Sequence, residues 1–266
     1  MNPRGHQFAL GHTLTGWSRV TTFTPKQERT LRLAYRGLTP WVYSRYGHRQ
    51  WAAPWPTTRL VVKDPFAMLS VPAVVRVTGA RPVLVYRHPG AVLSSYRRMG
   101  WTPDLDEIAP LVPVASDSAT SEPATSATVT SEPGGPTDGR ASAAEMARFW
   151  AALNASALSD LSGIAGAVVV SHEDVTLGGS AAAEKLFDLC GLPWSAATRR
   201  ATEHLSSSAE APARAPGAAG LHDFARAPEQ VASSWRATIS QQELDILERV
   251  AGHTLGDLAA ARADLS

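Results

Sequence analysis

The sequence predicts an α/β protein built around a parallel sheet. Three short apolar runs carry this expectation: Leu60-Val-Val62, Val83-Leu-Val-Tyr86 and Gly166-Ala-Val-Val-Val170. None of them alternates apolar with polar positions, which is the pattern of strands covered on both faces. Stretches with helical periodicity separate the runs, in the order that βαβ units require.

The elements follow in chain order. Residues 1–24 hold glycines, histidines and hydroxyl side chains, with few periodic apolar positions. At Thr24-Pro25 a helix begins: Thr24 is a cap, Pro25 suits the first helical position, and Glu28 places an acid in the first turn. Apolar positions continue through Leu31, Leu33, Ala34, Leu38, Trp41, Val42 and Tyr43, interrupted at Pro40. Pro54-Trp-Pro56 breaks this pattern. The first apolar run follows and ends at Lys63-Asp64-Pro65. A second helix is expected from about Phe66 to Val77, closed by Gly79. Pro82 then opens the run Val83–Tyr86.

Residues 112–143 contain no aromatic side chain and almost no large aliphatic one. Such a segment buries too little surface to offset its ordering entropy, so it is expected to be a disordered, low-complexity insertion. Residues 206–219, rich in Ser, Ala and Pro, are expected to form a flexible loop. Between them Ala143–Leu161 reads as a helix with Met146, Phe149, Trp150 and Leu153 on one side. A further helix spans Ser180–Leu189 and is closed by Gly191-Leu-Pro193. Ser240-Gln-Gln-Glu243 is a capping box leading into Leu244, Ile246, Leu247 and Val250. No internal repeat is found, and residues 1–266 read as a single domain.

Composition narrows the function classes. A chain of 266 residues can bury a sizeable core. Its formal net charge of +1 gives no whole-chain electrostatic case for nucleic acid or an acidic membrane. The single Cys190 excludes an intrachain disulfide and a cysteine zinc cluster, and no metal site is expected. No apolar run approaches the roughly 20 residues that span a bilayer. Met1-Asn-Pro-Arg-Gly-His is not followed by the apolar segment of a signal peptide, so a reducing, cytoplasmic setting is expected.

The residues with the clearest chemistry lie in Arg87-His-Pro89-Gly-Ala-Val-Leu-Ser94-Ser95-Tyr-Arg97-Arg98. Arg87 ends a strand, where α/β sheets bind their ligands. Pro89 pre-sets a helix whose N-terminus carries N–H groups and partial positive charge. Ser95 lies two turns into that helix. A guanidinium with a hydroxyl suits a phosphomonoester. The same residues also fit a plainer reading, with Arg87 paired to an acid at the sheet edge and the serines as caps. Gly11-His-Thr-Leu-Thr-Gly16-Trp17-Ser18 has the glycine and serine spacing of a phosphate loop but puts tryptophan where lysine belongs. It is read as a glycine-rich surface segment.

Three segments, taken in order, resemble sulfotransferases that use 3′-phosphoadenosine 5′-phosphosulfate (PAPS). Lys63-Asp64-Pro65-Phe66 looks like the strand-end lysine motif beside the transferred sulfuryl group. Arg87-His-Pro89 with Ser95 has the arginine-to-serine spacing of the 3′-phosphate motif. Ser171-His172-Glu173-Asp174-Val175, with Leu192-Pro193 following, is similar to the family's Tyr-Glu-Asp-Leu … Gly-Leu-Pro segment. Ser234-Trp235-Arg236 … Ser240 resembles its closing Trp-Arg helix start. The likeness covers roughly residues 25–255, less the insertion.

The resemblance implies a P-loop NTPase-like three-layer sandwich, with a central parallel sheet flanked by helices. It implies transfer of a sulfuryl group from PAPS to a small-molecule or carbohydrate acceptor bearing a hydroxyl or amine. Lys63 would neutralise the transferring group, and Arg87 with Ser95 would hold the 3′-phosphate. His172 stands where the family has a tyrosine near the adenine. Arg226 or Arg236, with Arg236 favoured, would close over the nucleotide. Glu173 and Asp174 are expected to fix a turn. Trp41, Tyr43, Tyr46, Trp51 and Trp55 either line an acceptor pocket or pack in the core. The chain departs from the family in lacking its first strand and the loop that wraps the 5′-phosphosulfate, so a segment upstream of Met1 is expected. Pro65 stands where some members carry a histidine base, and no general base is assigned. A non-catalytic nucleotide-binding or interaction relative is the alternative.

Overall fold

The structure, a computed structural model, describes Leu14 and residues 16–38, 59–111, 141–207 and 228–265. In chain order the helices are α1 (Pro25–Ala34), α2 (Val71–Thr78), α3 (Pro89–Met99), α4 (Leu105–Ile108), α5 (Ala143–Ser162), α6 (His172–Leu177), α7 (Gly179–Leu189), α8 (Ala196–Ser207), α9 (Pro228–Ser233) and α10 (Gln241–Ala261). Two strands, β1 (Val83–Tyr86) and β2 (Val168–Ser171), pair in parallel with Val83 opposite Val168 and Tyr86 opposite Ser171. The chain is therefore mostly helical around a small parallel sheet, which is compatible with the α/β expectation.

Local chemistry explains most element boundaries. Thr24 caps α1 in a reciprocal box with Gln27. Ser142 does the same for α5 with Glu145, and Ser240 for α10 with Glu243. Gly100, at φ 66°, ends α3 in the left-handed region where a side chain would be strained. The expected helix from Phe66 divides in two: Phe66–Ser70 forms a 3₁₀ turn, and α2 starts at Val71 with Pro72 in its first turn.

Two expectations are corrected. Leu60-Val-Val62 is not a strand: residues 59–64 are irregular and Val61 is exposed. A run of three apolar residues has no ladder of its own, and none of the described residues pairs with it. The segment 112–143 was expected to be disordered to its end, yet Ala141 is fully buried and Ser142-Ala143 opens α5. Its remainder, 112–140, lies outside the described residues. The same holds for 208–219 of the expected loop, while α8 reaches Ser207. The aromatic group from Trp41 to Trp55, and Arg226, also fall outside.

The core sits between α5, α10 and the sheet. α5 turns Met146, Phe149, Trp150, Leu153, Ala157 and Leu161 inward, one stripe at helical spacing. Against it α10 sets Leu247, Ala251 and Leu258. Ala147 and Ala251 are fully buried, and their small side chains fit where larger ones would hold two helices apart. All four β2 residues are buried, whereas Val83 and Val85 of β1 are exposed. After α10 the tail returns to the sheet, where the Ala263 N–H donates to the Val169 carbonyl at 2.8 Å.

Candidate functional site

β1 and β2 both end beside helix starts. Arg87 and His88 link β1 to α3, and α6 begins directly after Ser171. Because the strands are parallel and in register, both of these joins lie at the same edge of the sheet, the edge where α/β folds gather ligands. Across it runs the C-terminal segment: α9, a 3₁₀ turn at Ser234–Ala237, and the cap of α10.

Arg87 is built into this junction at both ends. Its carbonyl accepts a 2.9 Å hydrogen bond from the Trp150 indole on α5, and its Nη2 donates to the Val231 carbonyl on α9 at 3.1 Å. The Arg87 charge also reaches His172 at the start of α6. Burial, and then that guanidinium, hold the His172 imidazole below its ordinary pKa, against the pull of Glu173. Thr176 Oγ1 lies 3.4 Å from His172 Nδ1.

His88 caps α3 with its side chain. Nδ1 accepts from the Gly90 N–H at 3.1 Å, while the His88 carbonyl takes the N–H groups of Ala91 and Val92. The first-turn donors of α3 are thus answered from within the chain, and in α6 Ser171 Oγ accepts from the Asp174 N–H at 2.9 Å. The His88 N–H points across the cleft to Glu173 Oε1 at 3.4 Å. Burial, and then Arg236, hold the His88 imidazole low, opposed by Glu173.

Trp235 closes the group from the C-terminal side. It is 4% exposed and stacks on His88 with centroids 4.4 Å apart. A Cβ on residue 90 would overlap its ring, so this contact requires glycine there. The Arg236 guanidinium carbon lies 4.7 Å from the centre of the Trp235 ring. Beside them Ser94 Oγ and Thr238 Oγ1 share a 2.9 Å hydrogen bond.

Of the residues singled out in the sequence, Arg87 lies near enough for its charge to act on His172, and Arg236 lies over Trp235, which stacks on His88. Two do not join them. Lys63 is exposed on the irregular stretch before the first 3₁₀ turn, and Ser95 is half-buried on α3. Among the described residues, no hydrogen bond or ion pair links either to Arg87, His172 or Arg236. Sequence reasoning missed Trp235 as the stacking partner and the Val231 carbonyl as an acceptor for Arg87. The signal for the first was present, since Trp235 directly precedes Arg236, but nothing local to Val231 announces it. Asp174 is expected to fix the α6 turn; its side chain pairs with Arg262 at 2.9 Å, joining α6 to the tail after α10, and Ser171 caps the turn.

The glycine-rich segment Gly11–Ser18 is described only in part. There the Trp17 N–H donates to Glu107 Oε1 at 2.6 Å. A carboxylate occupies the direction in which a phosphate loop presents N–H groups to an anion. No group of three or more His, Cys, Asp or Glu side chains among the described residues could hold a metal ion, and no helix among them is long and apolar enough to cross a membrane. A shallow cleft lined by Lys185, Asp188, Trp194 and Asp264 shares no residue with the strand-end site.

No family model, no curated protein and no solved structure matches the chain.

Proposed function

We propose that the chain is a sulfotransferase-like domain that binds a 3′-phosphoadenosine nucleotide at the shared ends of β1 and β2. It would transfer a sulfuryl group from PAPS to a hydroxyl or amine on a small-molecule or carbohydrate acceptor. One observation carries this reading. Arg87, His172 and Arg236 come from segments more than 60 residues apart in the sequence, yet their charges act at one junction: Arg87 on His172, and Arg236 on His88, beside Trp235. The P-loop-like three-layer sandwich, larger than the two-stranded sheet described, belongs to the same proposal.

The residues present favour one mode of holding the 3′-phosphate. The first-turn N–H groups of α3 already have partners in His88. The anion would be held by the Arg87 guanidinium and by hydroxyls of α3, Ser95 among them, as charge-assisted hydrogen bonds. Arg87 would exchange its bond to the Val231 carbonyl for the phosphate. Sulfuryl transfer needs in-line positioning and stabilisation of developing charge more than covalent catalysis by the protein. Lys63 is the chain's candidate for that charge, and its exposure leaves the ammonium accessible. His172, its pKa lowered by burial, can hydrogen-bond an adenine ring.

A second reading has an observation of its own. With Trp235 packed on Gly90 and the α3 amides satisfied, the site is closed in a way that suits a nucleotide-binding or interaction domain without turnover.

Thermal melts separate these readings. Adenosine 3′,5′-bisphosphate should raise the melting temperature by mass action, whereas adenosine 5′-monophosphate should not. Arg87→Lys should remove the difference, because an ammonium cannot replace the guanidinium fork. Equal responses to both nucleotides, or none, would sink the 3′-phosphate assignment. Transfer of labelled sulfate from PAPS to a panel of alcohols and amines then decides between enzyme and binding domain.

A further inference from the structure

We infer that the outer face of α1 is a docking surface for an anionic lipid membrane. This proposal stands independently of the nucleotide reading. α1 buries Leu31 and Ala34 against the body of the protein. Its opposite side presents Lys26, Arg29 and Arg32, and Arg36 follows in the turn just past the helix, all exposed. At helical rise the three on α1 extend over about 9 Å on one face. Arg32 pairs with Glu28, the one acid of the helix, at 2.8 Å. Among the described residues, no acid pairs with Lys26, Arg29 or Arg36.

The sequence extends this asymmetry. Residues 29–63 hold seven of the chain's 25 Lys and Arg and none of its 24 Asp and Glu. In a chain of net charge +1 this is a local run of positive charge along the sequence, the kind of asymmetry that suits a polyanionic partner.

Apolar tips select a membrane over a nucleic acid. Leu38, just past α1, is 47% exposed, and Leu33 is half-buried between the Arg29 and Lys26 positions of the helix. A bilayer interface takes up such leucines while its anionic headgroups meet the cations. A phosphodiester backbone leaves them in water. The polar side chains that would read bases are engaged within the helix: Thr30 Oγ1 donates to the Lys26 carbonyl, and Gln27 Oε1 accepts from the Thr24 N–H.

The test is cosedimentation of the full chain with phosphatidylcholine vesicles, with and without phosphatidylserine, at low and raised salt. Binding should require phosphatidylserine and weaken with salt. The triple variant Lys26→Ser, Arg29→Ser, Arg36→Ser should bind on the order of 100-fold more weakly, since each cation near such a surface contributes about a factor of five. The variant Arg29→Lys, Arg36→Lys should retain binding, which separates lost charge from a damaged helix. Equal binding to pure phosphatidylcholine would overturn the proposal. So would unchanged binding by the triple variant, or tighter binding to a single-stranded RNA oligonucleotide than to the anionic vesicles.

Discussion

The His88 imidazole lies on the Trp235 indole, with ring centroids 4.4 Å apart and planes 18° from parallel. This one contact joins the loop after β1 to the segment that precedes α10, residues almost 150 positions apart in the sequence. It also fixes the capping geometry of α3, because the same imidazole accepts the Gly90 N–H through Nδ1. Stacking, capping and the closeness of Trp235 to Gly90 are three consequences of a single arrangement.

Trp235→Ala should therefore be among the most damaging substitutions in the chain. The indole is 4% exposed and its Nε1 donates to the Ala232 carbonyl at 2.9 Å. Removing it leaves a cavity against Gly90 and the His88 ring, for a loss of about 3–5 kcal/mol. Trp235→Phe keeps a ring but loses the N–H, and should cost about half as much. Urea denaturation measures both. A loss below about 1 kcal/mol for the alanine variant would mean that Trp235 does not organise this region.

Glu243 offers a prediction with a pH dependence. Its Oε1 accepts from Arg97 Nη2 at 2.6 Å, and its Oε2 closes the α10 capping box with the Ser240 N–H at 2.9 Å. The Arg97 hydrogen bond above all holds the carboxyl below its ordinary value of 4.5. A depressed carboxylate contributes stability above the unfolded value, and loses it as pH falls through the folded one. Glu243→Gln preserves the cap and removes the charge. It should cost about 1–2 kcal/mol at pH 7 and progressively less as the pH is lowered below 4.5. Melting curves of both proteins across that range provide the check; a pH-independent penalty would assign the effect to capping geometry instead.

What the sequence made legible was local. Thr24-Pro25 and Ser240…Glu243 place α1 and α10 through hydrogen bonds made within four residues, and the stripe from Met146 to Leu153 identifies the inward face of α5. The run Val83–Tyr86 gives β1, and the run ending at Val170 gives β2, shifted to Val168–Ser171. Leu60-Val-Val62 misled because apolarity without a pairing partner does not make a strand. At the site, motif order singles out Arg87, His172 and Arg236. The stacking of Trp235 on His88, and the use of the Val231 carbonyl by Arg87, depend on tertiary packing between distant segments, which no local pattern encodes. Ser95 and Lys63 rest on motif resemblance, and a motif match does not specify which way a side chain faces.

Asp64 carries the last prediction. Burial raises its carboxyl from 3.8 to about 6, against the opposing pull of the Phe66 N–H, which donates to Oδ1 at 3.2 Å. A raised pKa means that the folded state binds the proton more tightly than the unfolded chain does. The associated stability is complete below 3.8 and is lost as the pH rises through about 6. His88 and His172 act in the opposite sense: burial holds both below 6.5, so they weaken the fold as the pH falls beneath that value. The wild-type pH profile is thus a sum of opposing contributions, and only a difference between proteins isolates Asp64. Asp64→Asn keeps an acceptor for Phe66 and cannot ionise. Relative to wild type it should gain about 1–3 kcal/mol between pH 5 and pH 8, read as a widening gap in melting temperature. A gap that stays constant over that interval would show that the Asp64 carboxyl titrates in its ordinary range.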